Sequence, residues 1–194
     1  MTYYWRSKID LAETEGILSE FFTKASIELR RSAFEFIGRS LVNTKEPLSD
    51  KIKGRLRSLL DGRIEMGKTL EACEMKDELI DFGYWFYCKK FDDEWAIKSL
   101  KNIMAITKNI EPEYKVVNRL AELSKIYSLE ALECLSLIVN NLKEVWDIEG
   151  WKEDARTILS NGLKNEKHRI QGLAFDLVNK IGSLGYIDFR DLLN

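Results

Sequence analysis

Few residues in this chain have the type and spacing that chemistry requires. The single histidine, His168 in NEKHRIQG, stands between Lys167 and Arg169 at the start of a helical pattern. A Ser- or Cys-based nucleophile needs a base held against it, and a histidine flanked by two cations reads as solvent-facing. Cys73, Cys88 and Cys134 are widely spaced, and no C-x-x-C occurs. With the single histidine, and with no closely spaced cysteine pair, they leave no zinc framework of four ligands, so buried free thiols are expected. The stretch EMGKT at 65–69 ends in Gly-Lys-Thr, but it lacks the earlier glycine and the preceding strand that let backbone amides wrap a phosphate. It reads as a loop between helices. G-x-S-x-G, G-x-G-x-x-G and H-E-x-x-H are absent. Carboxylate runs such as Asp92-Asp93-Glu94 and Glu153-Asp154 suit helix starts, where they complement the macrodipole. The expectation is a non-enzymatic chain with no catalytic, cofactor-binding or metal-ligating residues.

Binding chemistry is better represented. The segment DFGYWFYCKKFDDEWAIKSL at 81–100 concentrates Phe82, Tyr84, Trp85, Phe86, Tyr87, Phe91 and Trp95. On a helix spanning 76–88, at about 100° per residue, Leu79, Phe82, Gly83 and Phe86 share one side. Ile80, Tyr84 and Tyr87 extend it to about half the circumference. Gly83 lies within that arc, where a missing side chain admits a neighbouring helix. Trp85 falls on the remaining arc with Glu78, Asp81 and, at its edge, Lys89. An indole among charges has the composition of a partner-binding hot spot, so Trp85, Asp81, Glu78 and Lys89 are the candidate partner-binding residues. The competing expectation is that Trp85 covers the following loop. Phe91 and Trp95, around Asp92, suit a hydrophobic staple. Trp146 and Trp151, flanking WDIEGW, read as staples at a helix junction.

Basic clusters supply a second possibility. Lys51 with Arg55 and Lys53 with Arg57 are four apart, and Lys89, Lys90, Lys164, Lys167 and Arg169 add to them. Lined along one concave surface, they could track a nucleic-acid backbone. Helical-repeat DNA glycosylases pair such a groove with a tryptophan and a carboxylate, for which Trp85 and Asp81 would serve. Thirty basic against thirty-two acidic side chains, a formal net charge of −2, disfavour nucleic acid and leave solvated helix faces as the ordinary explanation. A protein partner is the leading expectation.

Helices must position all of these residues. Ser26 caps a helix over 26–42 with Leu29, Ala33, Phe36, Ile37 and Leu41 in one stripe. Pro47 and Ser49 introduce another over 49–65 through Ile52, Leu56, Leu59 and Leu60. Asp92 and Asp93 open a third, with Ala96, Leu100, Ile103 and Met104. Pro112 leads Val116, Leu120 and Leu123, and Ser128 caps Leu132, Leu135, Ile138, Val139 and Leu142. A helix from about Trp151 carries Ala155, Ile158, Leu159 and Leu163. The last long one holds Ile170, Leu173, Ala174, Leu177, Val178 and Ile181, with Gly182 and Gly185 near its end, before a short FRDLL turn. No strand survives.

Every second helix begins near residues 10, 49, 92, 128 and 166, a step of about 36–43 residues that matches HEAT- and armadillo-type pairs. The expected fold is all-α: a right-handed HEAT/armadillo-like α-solenoid of about five antiparallel helix pairs, with an irregular helical bundle as the alternative. Residues 1–194 form one helical-repeat domain. The aromatics of TYYWR either fold back on the first pair or pack on a preceding domain, which suggests a piece of a longer protein. No run of about 18 uncharged apolar residues exists, so no membrane span is expected, and MTYYWRSKID lacks signal-peptide features. A cytoplasmic location follows as an expectation.

At FGYWF…KKFDDEWAIKSL, and again at GYIDFRDLL, the chain resembles the C-terminal helical-repeat part of large prokaryotic STAND-type NTPases and related multidomain proteins, many linked to anti-phage defence. The resemblance runs from YYWR at 3–6 to the end. It implies a region that senses or binds a partner while the NTPase or effector lies upstream. The shared motifs are aromatic and structural, and no catalytic residue carries over, because the chain contains no Walker-type motif. The remaining expectation is a structural or oligomerisation spacer.

Overall fold

The computed structural model describes Leu18 and residues 20–69 and 73–193, and every regular element among them is a helix. The expected first helix near residue 10 and the TYYWR aromatics lie outside the described residues.

Local signals set the helix starts. In α1 (Ile27–Asn43) the Ser26 hydroxyl accepts from the Leu29 N–H at 3.5 Å. Ser49 does the same for Ile52, at 3.4 Å, before α2 (Asp50–Thr69). Gly67-Lys68-Thr69 therefore continues a helix and is not the expected loop. Asp92 accepts from the Trp95 N–H at 2.9 Å to open α5 (Asp93–Thr107). After α6 (Glu113–Leu123) comes α7 (Ser128–Asn140). There Ser128 is not the cap: its hydroxyl donates to the Ser124 carbonyl at 2.7 Å. A 3₁₀ helix, Val145–Trp151, leads into α8 (Lys152–Leu163). The chain continues through α9 (His168–Ser183) and a second 3₁₀ turn, Arg190–Leu193.

The aromatic helix is two helices. α3 (Cys73–Leu79) and α4 (Phe82–Tyr87) are separated by a turn at Ile80–Asp81. The Ile80 carbonyl, which a continuous helix would hold for residue 84, accepts instead from the Glu111 N–H at 2.7 Å. Gly83 makes that approach possible, because a Cβ there would lie 2.4 Å from the Glu111 carbonyl oxygen.

The apolar stripes of α5 to α9 are buried as their spacing predicts, through Leu100 and Ile103, Val116 and Leu120, Leu132 and Leu135, Ile158 and Leu159, Leu177 and Ile181. Each such side chain contributes roughly 1.5–3 kcal/mol when fully buried. In α1 the buried face is Ala33, Phe34, Ile37, Gly38 and Leu41, while Leu29 and Phe36, expected in the stripe, are exposed.

Alternate helices touch. α1 contacts α3 and α4, α4 contacts α6, and α6 contacts α8; α2 contacts α5, α5 contacts α7, and α7 contacts α9. The turns between them gather at two edges. At one, the loops 44–49, 88–92, 124–127 and 164–167 are tied by Lys90 Nζ to the Glu46 carbonyl (2.8 Å), Lys89 to Glu122 (2.6 Å) and Asn161 Nδ2 to Ser124 Oγ (2.7 Å). At the other, Glu111 meets Ile80, the Trp151 indole donates to Glu113 at 2.8 Å, and the Tyr186 hydroxyl donates to Glu149 at 2.8 Å.

Candidate functional site

The residues expected to form a partner surface are, with one exception, inside. Trp85 is 1% exposed. Its ring stacks on Phe34 at 4.6 Å and on Phe91 at 6.1 Å, and its Nε1–H donates to the Phe34 carbonyl at 3.0 Å. Gly38 makes room for the indole: a Cβ there would lie 2.8 Å from Trp85 Cδ1. The reason for the correction is the break at Ile80–Asp81. A single wheel over 76–88 assigns Trp85 the polar arc, but α4 begins afresh and turns Phe82, Gly83, Trp85 and Phe86 inward together.

Glu78 and Asp81 are buried because arginines far away in sequence meet them. Arg63 grips Glu78 through Nε and Nη2, both at 2.7 Å, and Arg30 Nε adds a third contact at 2.8 Å. Removing one member of such a buried group costs about 3–5 kcal/mol, since the others stay desolvated and unpaired. Asp81 accepts from Arg31 Nε at 3.1 Å. Burial lifts its carboxyl above the ordinary value, and the Arg31 hydrogen bond offsets part of that rise. Lys89 is exposed but paired with Glu122. The four residues do not share a surface.

Burial also raises the cysteine thiols, Cys88 to about 11 and Cys134 further, which suppresses thiolate chemistry. Cys88 is partly buried and Cys134 fully so; the Cys73 side chain lies outside the described set. Among the described residues no group of three His, Cys, Asp or Glu side chains could hold a metal ion, and no helix is long and apolar enough to cross a membrane.

A different tryptophan reaches solvent. Trp146, expected as a staple, is 67% exposed, while Trp151 is buried at 4%. The segment Val145–Trp151 is a 3₁₀ helix with three residues per turn. That period puts Val145, Ile148 and Trp151 on one face, against the core, and leaves Trp146 and Glu149 on another. The segment is locked at its start by a reciprocal cap, in which Glu144 N–H donates to Asp147 Oδ2 at 3.2 Å and the Glu144 side chain caps the Asp147 amide. The Trp146 ring meets Tyr186 edge-on, with centroids 6.4 Å apart. On either side of Tyr186 in sequence, Leu184 and Ile187 are exposed at 41% and 60%. The charges of the loop are Lys143 against Glu144, Asp147 and Glu149, all exposed. Beside it, burial raises the Glu113 carboxyl, the Trp151 indole hydrogen bond lowers it, and Asp147 and Glu111 raise it again.

The basic residues divide. On α2, Arg57 stacks over Trp95 at 4.9 Å and Lys53 approaches Asp50 at 3.9 Å. Lys164, Lys167 and Arg169 gather at the opposite edge from Trp146, joined by Lys125, which the sequence reading passed over.

Comparison with protein-family models, with curated proteins and with solved structures finds no match to this chain.

Proposed function

We propose that the chain is a non-enzymatic helical-repeat module of the α-solenoid type that captures a partner protein through the edge bearing Trp146. The repeat reading is supported by the register of its tertiary bonds. Partners in successive layers are 34 residues apart at Trp95–Asp61, 32 at Lys101–Glu133 and 33 at Lys89–Glu122. They are 37 apart at Asn161–Ser124, 38 at Trp151–Glu113 and 36 at Lys152–Asp188. A near-constant offset is what stacked helix pairs produce. The first step is longer, 48 at Arg30–Glu78 and 51 at Trp85–Phe34, because the 20-residue α2 and the extra helix α3 intervene.

The observation that carries the binding reading is the exposed Trp146, borne on a capped 3₁₀ helix with its ring edge-on to Tyr186. An indole held by a capped helix loses little freedom on association, and tryptophans of this kind dominate interface energetics. The carboxylates of Glu144, Asp147 and Glu149 fit a partner segment with lysine or arginine beside an apolar side chain, the cation lying over the indole face. Such a role agrees with the sensing region of STAND-type proteins that the aromatic motifs resemble. The base-excising alternative needed Asp81 and Trp85 in an open pocket, and both are buried.

Tryptophan emission of the intact chain, titrated with synthetic peptides rich in lysine, arginine and leucine, tests this reading. Saturable change with basic peptides, absent with their glutamate counterparts and lost in Trp146→Ala, is expected. Equal binding by Trp146→Ala, or no response to any peptide of the panel, overturns it.

A further inference from the structure

The edge opposite Trp146 carries a charge arrangement that the protein-capture reading leaves unused. Elsewhere on the molecule, many of the described cations are compensated, among them Lys89 by Glu122, Lys98 by Glu94, Lys101 by Glu133, Arg119 by Asp93 and Glu122, and Arg156 by Asp191. Lys125, Lys164, Lys167 and Arg169 are all exposed and make no ion pair among the described residues. They converge from two loops and the first turn of α9 on a pair of adjoining clefts. One, of about 440 Å³, takes Lys125, Lys164 and Lys167; the other, of about 410 Å³, takes Lys167 and Arg169. Ser128, Asn165 and Lys167 line both. One carboxylate faces each cleft, Glu166 the first and Glu130 the second, so cations outnumber acids in the pair.

The wall between the loops is built, not incidental. Asn161 Nδ2 donates to Ser124 Oγ at 2.7 Å, Asn165 Nδ2 to Ser128 Oγ at 3.3 Å, and Ser128 Oγ to the Ser124 carbonyl at 2.7 Å. Ser124 and Ser128 are buried. This ladder fixes the two loops against each other and so sets the positions from which Lys125, Lys164 and Lys167 extend. Helix stability accounts for Lys125 and Lys164, which stand at the C-terminal ends of α6 and α8, but not for Lys167 and Arg169. Lys167, His168 and Arg169 occupy the start of α9, whose first turn has no acidic residue and whose cap makes no side-chain bond. Cations at that end oppose the macrodipole, and α1, α2, α5, α6, α7 and α8 each place a carboxylate there instead. A local arrangement that works against stability is where a functional constraint is to be sought.

We propose that the paired clefts bind a compact ligand carrying adjacent phosphate groups. Ammonium and guanidinium groups recognise such groups by charge-assisted hydrogen bonds, and two clefts sharing Lys167 suit neighbouring phosphates of one ligand. A long polyanion fits less well, because on the same edge Lys89 is neutralised by Glu122 and the 88–92 loop runs into Asp92 and Asp93. The shared chemistry is a di- or triphosphate, either free or borne by a nucleoside. Exposed Ile126 and half-buried Tyr127, lining the second cleft, offer a ring-sized apolar contact that only the nucleoside form would use.

Calorimetric titration of the intact chain with sodium triphosphate, ATP and single-stranded oligonucleotides of increasing length tests the proposal. Saturable one-to-one binding of triphosphate is expected at low salt, weakened toward about 0.15 M ionic strength, where screening is strong. Lys164→Ala/Lys167→Ala should lower affinity by about tenfold or more, without a fall in melting temperature. Lys45→Ala/Lys51→Ala, exposed cations outside the clefts, should leave affinity as it is. ATP binding tighter than triphosphate, with the difference lost in Tyr127→Ala, identifies the nucleoside form; equal binding identifies the free polyphosphate. The proposal is overturned by no saturable binding at low salt, by equal losses in both double variants, or by oligonucleotide affinity that climbs with length past that of triphosphate.

Discussion

Trp85 and Trp146 both stand in short helical stretches with carboxylates nearby, yet one ring is sandwiched between Phe34 and Phe91 and the other lies in solvent against the edge of Tyr186. Composition does not separate them, since DFGYWF and EVWDIEGW offer each indole similar neighbours. What separates them is the helical period on each side. α4 restarts after the Ile80–Asp81 turn, which swings Trp85 onto the face that meets α1. The 3₁₀ period spends its inward face on Val145, Ile148 and Trp151, which leaves Trp146 outside. Exposure was thus decided by backbone phase, and a surface sought by composition alone lands on a buried tryptophan.

The sharpest way to break this comparison is Trp85→Ala. It removes two stacked ring contacts and leaves the buried Phe34 carbonyl without its indole donor. Large aromatic-to-alanine changes in a core cost about 3–5 kcal/mol, a large share of the stability of a domain. Chemical denaturation should show the midpoint falling steeply, to the point of partial unfolding in buffer. A loss below about 1 kcal/mol would place Trp85 in the same class as surface residues, and the contrast with Trp146 would vanish.

Features decided within a few residues were legible in the sequence, and those decided at a distance were not. Ser26 and Asp92 announced their helices because a cap needs only the amide three residues on. The stripes of α5 to α9 were legible because each helix is continuous over its stripe. Glu78 and Asp81 read as surface charge because their partners, Arg30, Arg63 and Arg31, are up to 50 residues away. No local pattern signals such a pairing. The break before α4 was illegible for the same reason, since its cause is the Glu111 backbone approaching Gly83. Trp146 is different: reading WDIEGW at three residues per turn would have sorted it from Trp151. Lys125 escaped notice because it is a lone lysine in sequence, beside Lys164 and Lys167 only once α6 and α8 are stacked.

A smaller effect sharpens the comparison at the Trp146 edge itself. Glu113, which receives the Trp151 indole, has its carboxyl raised above the ordinary 4.5 by burial, with the indole hydrogen bond pulling back and Asp147 and Glu111 pushing up. A raised folded-state value means that the native chain binds this proton more readily than the unfolded chain. The resulting stabilisation is full below 4.5 and is lost as pH rises through the folded-state value. Glu113→Gln keeps an acceptor for the indole but no longer titrates. Melting temperatures of the two proteins should therefore shift relative to each other in favour of wild type as pH falls toward 4.5, and run parallel near neutrality. A wild-type disadvantage growing toward acid would mean that hydrogen bonding to the ionised form dominates and that the Trp151 side of the loop is wetter than its burial indicates.

The smallest expected effect belongs to Trp146. If its ring contributes only an edge contact to Tyr186, Trp146→Ala should change unfolding free energy by no more than about 0.5 kcal/mol, the range of surface substitutions. Tyr186 keeps its hydrogen bond to Glu149 and its contact with Phe189, so nothing in the core depends on the indole. Denaturation measured beside Trp85→Ala gives the contrast directly: a loss of several kcal/mol for one indole and almost none for the other. A cost near 2 kcal/mol at Trp146 would show that the ring is part of the packing around Tyr186. The exposed face would then shrink to Leu184 and Ile187, too little apolar surface to anchor a partner.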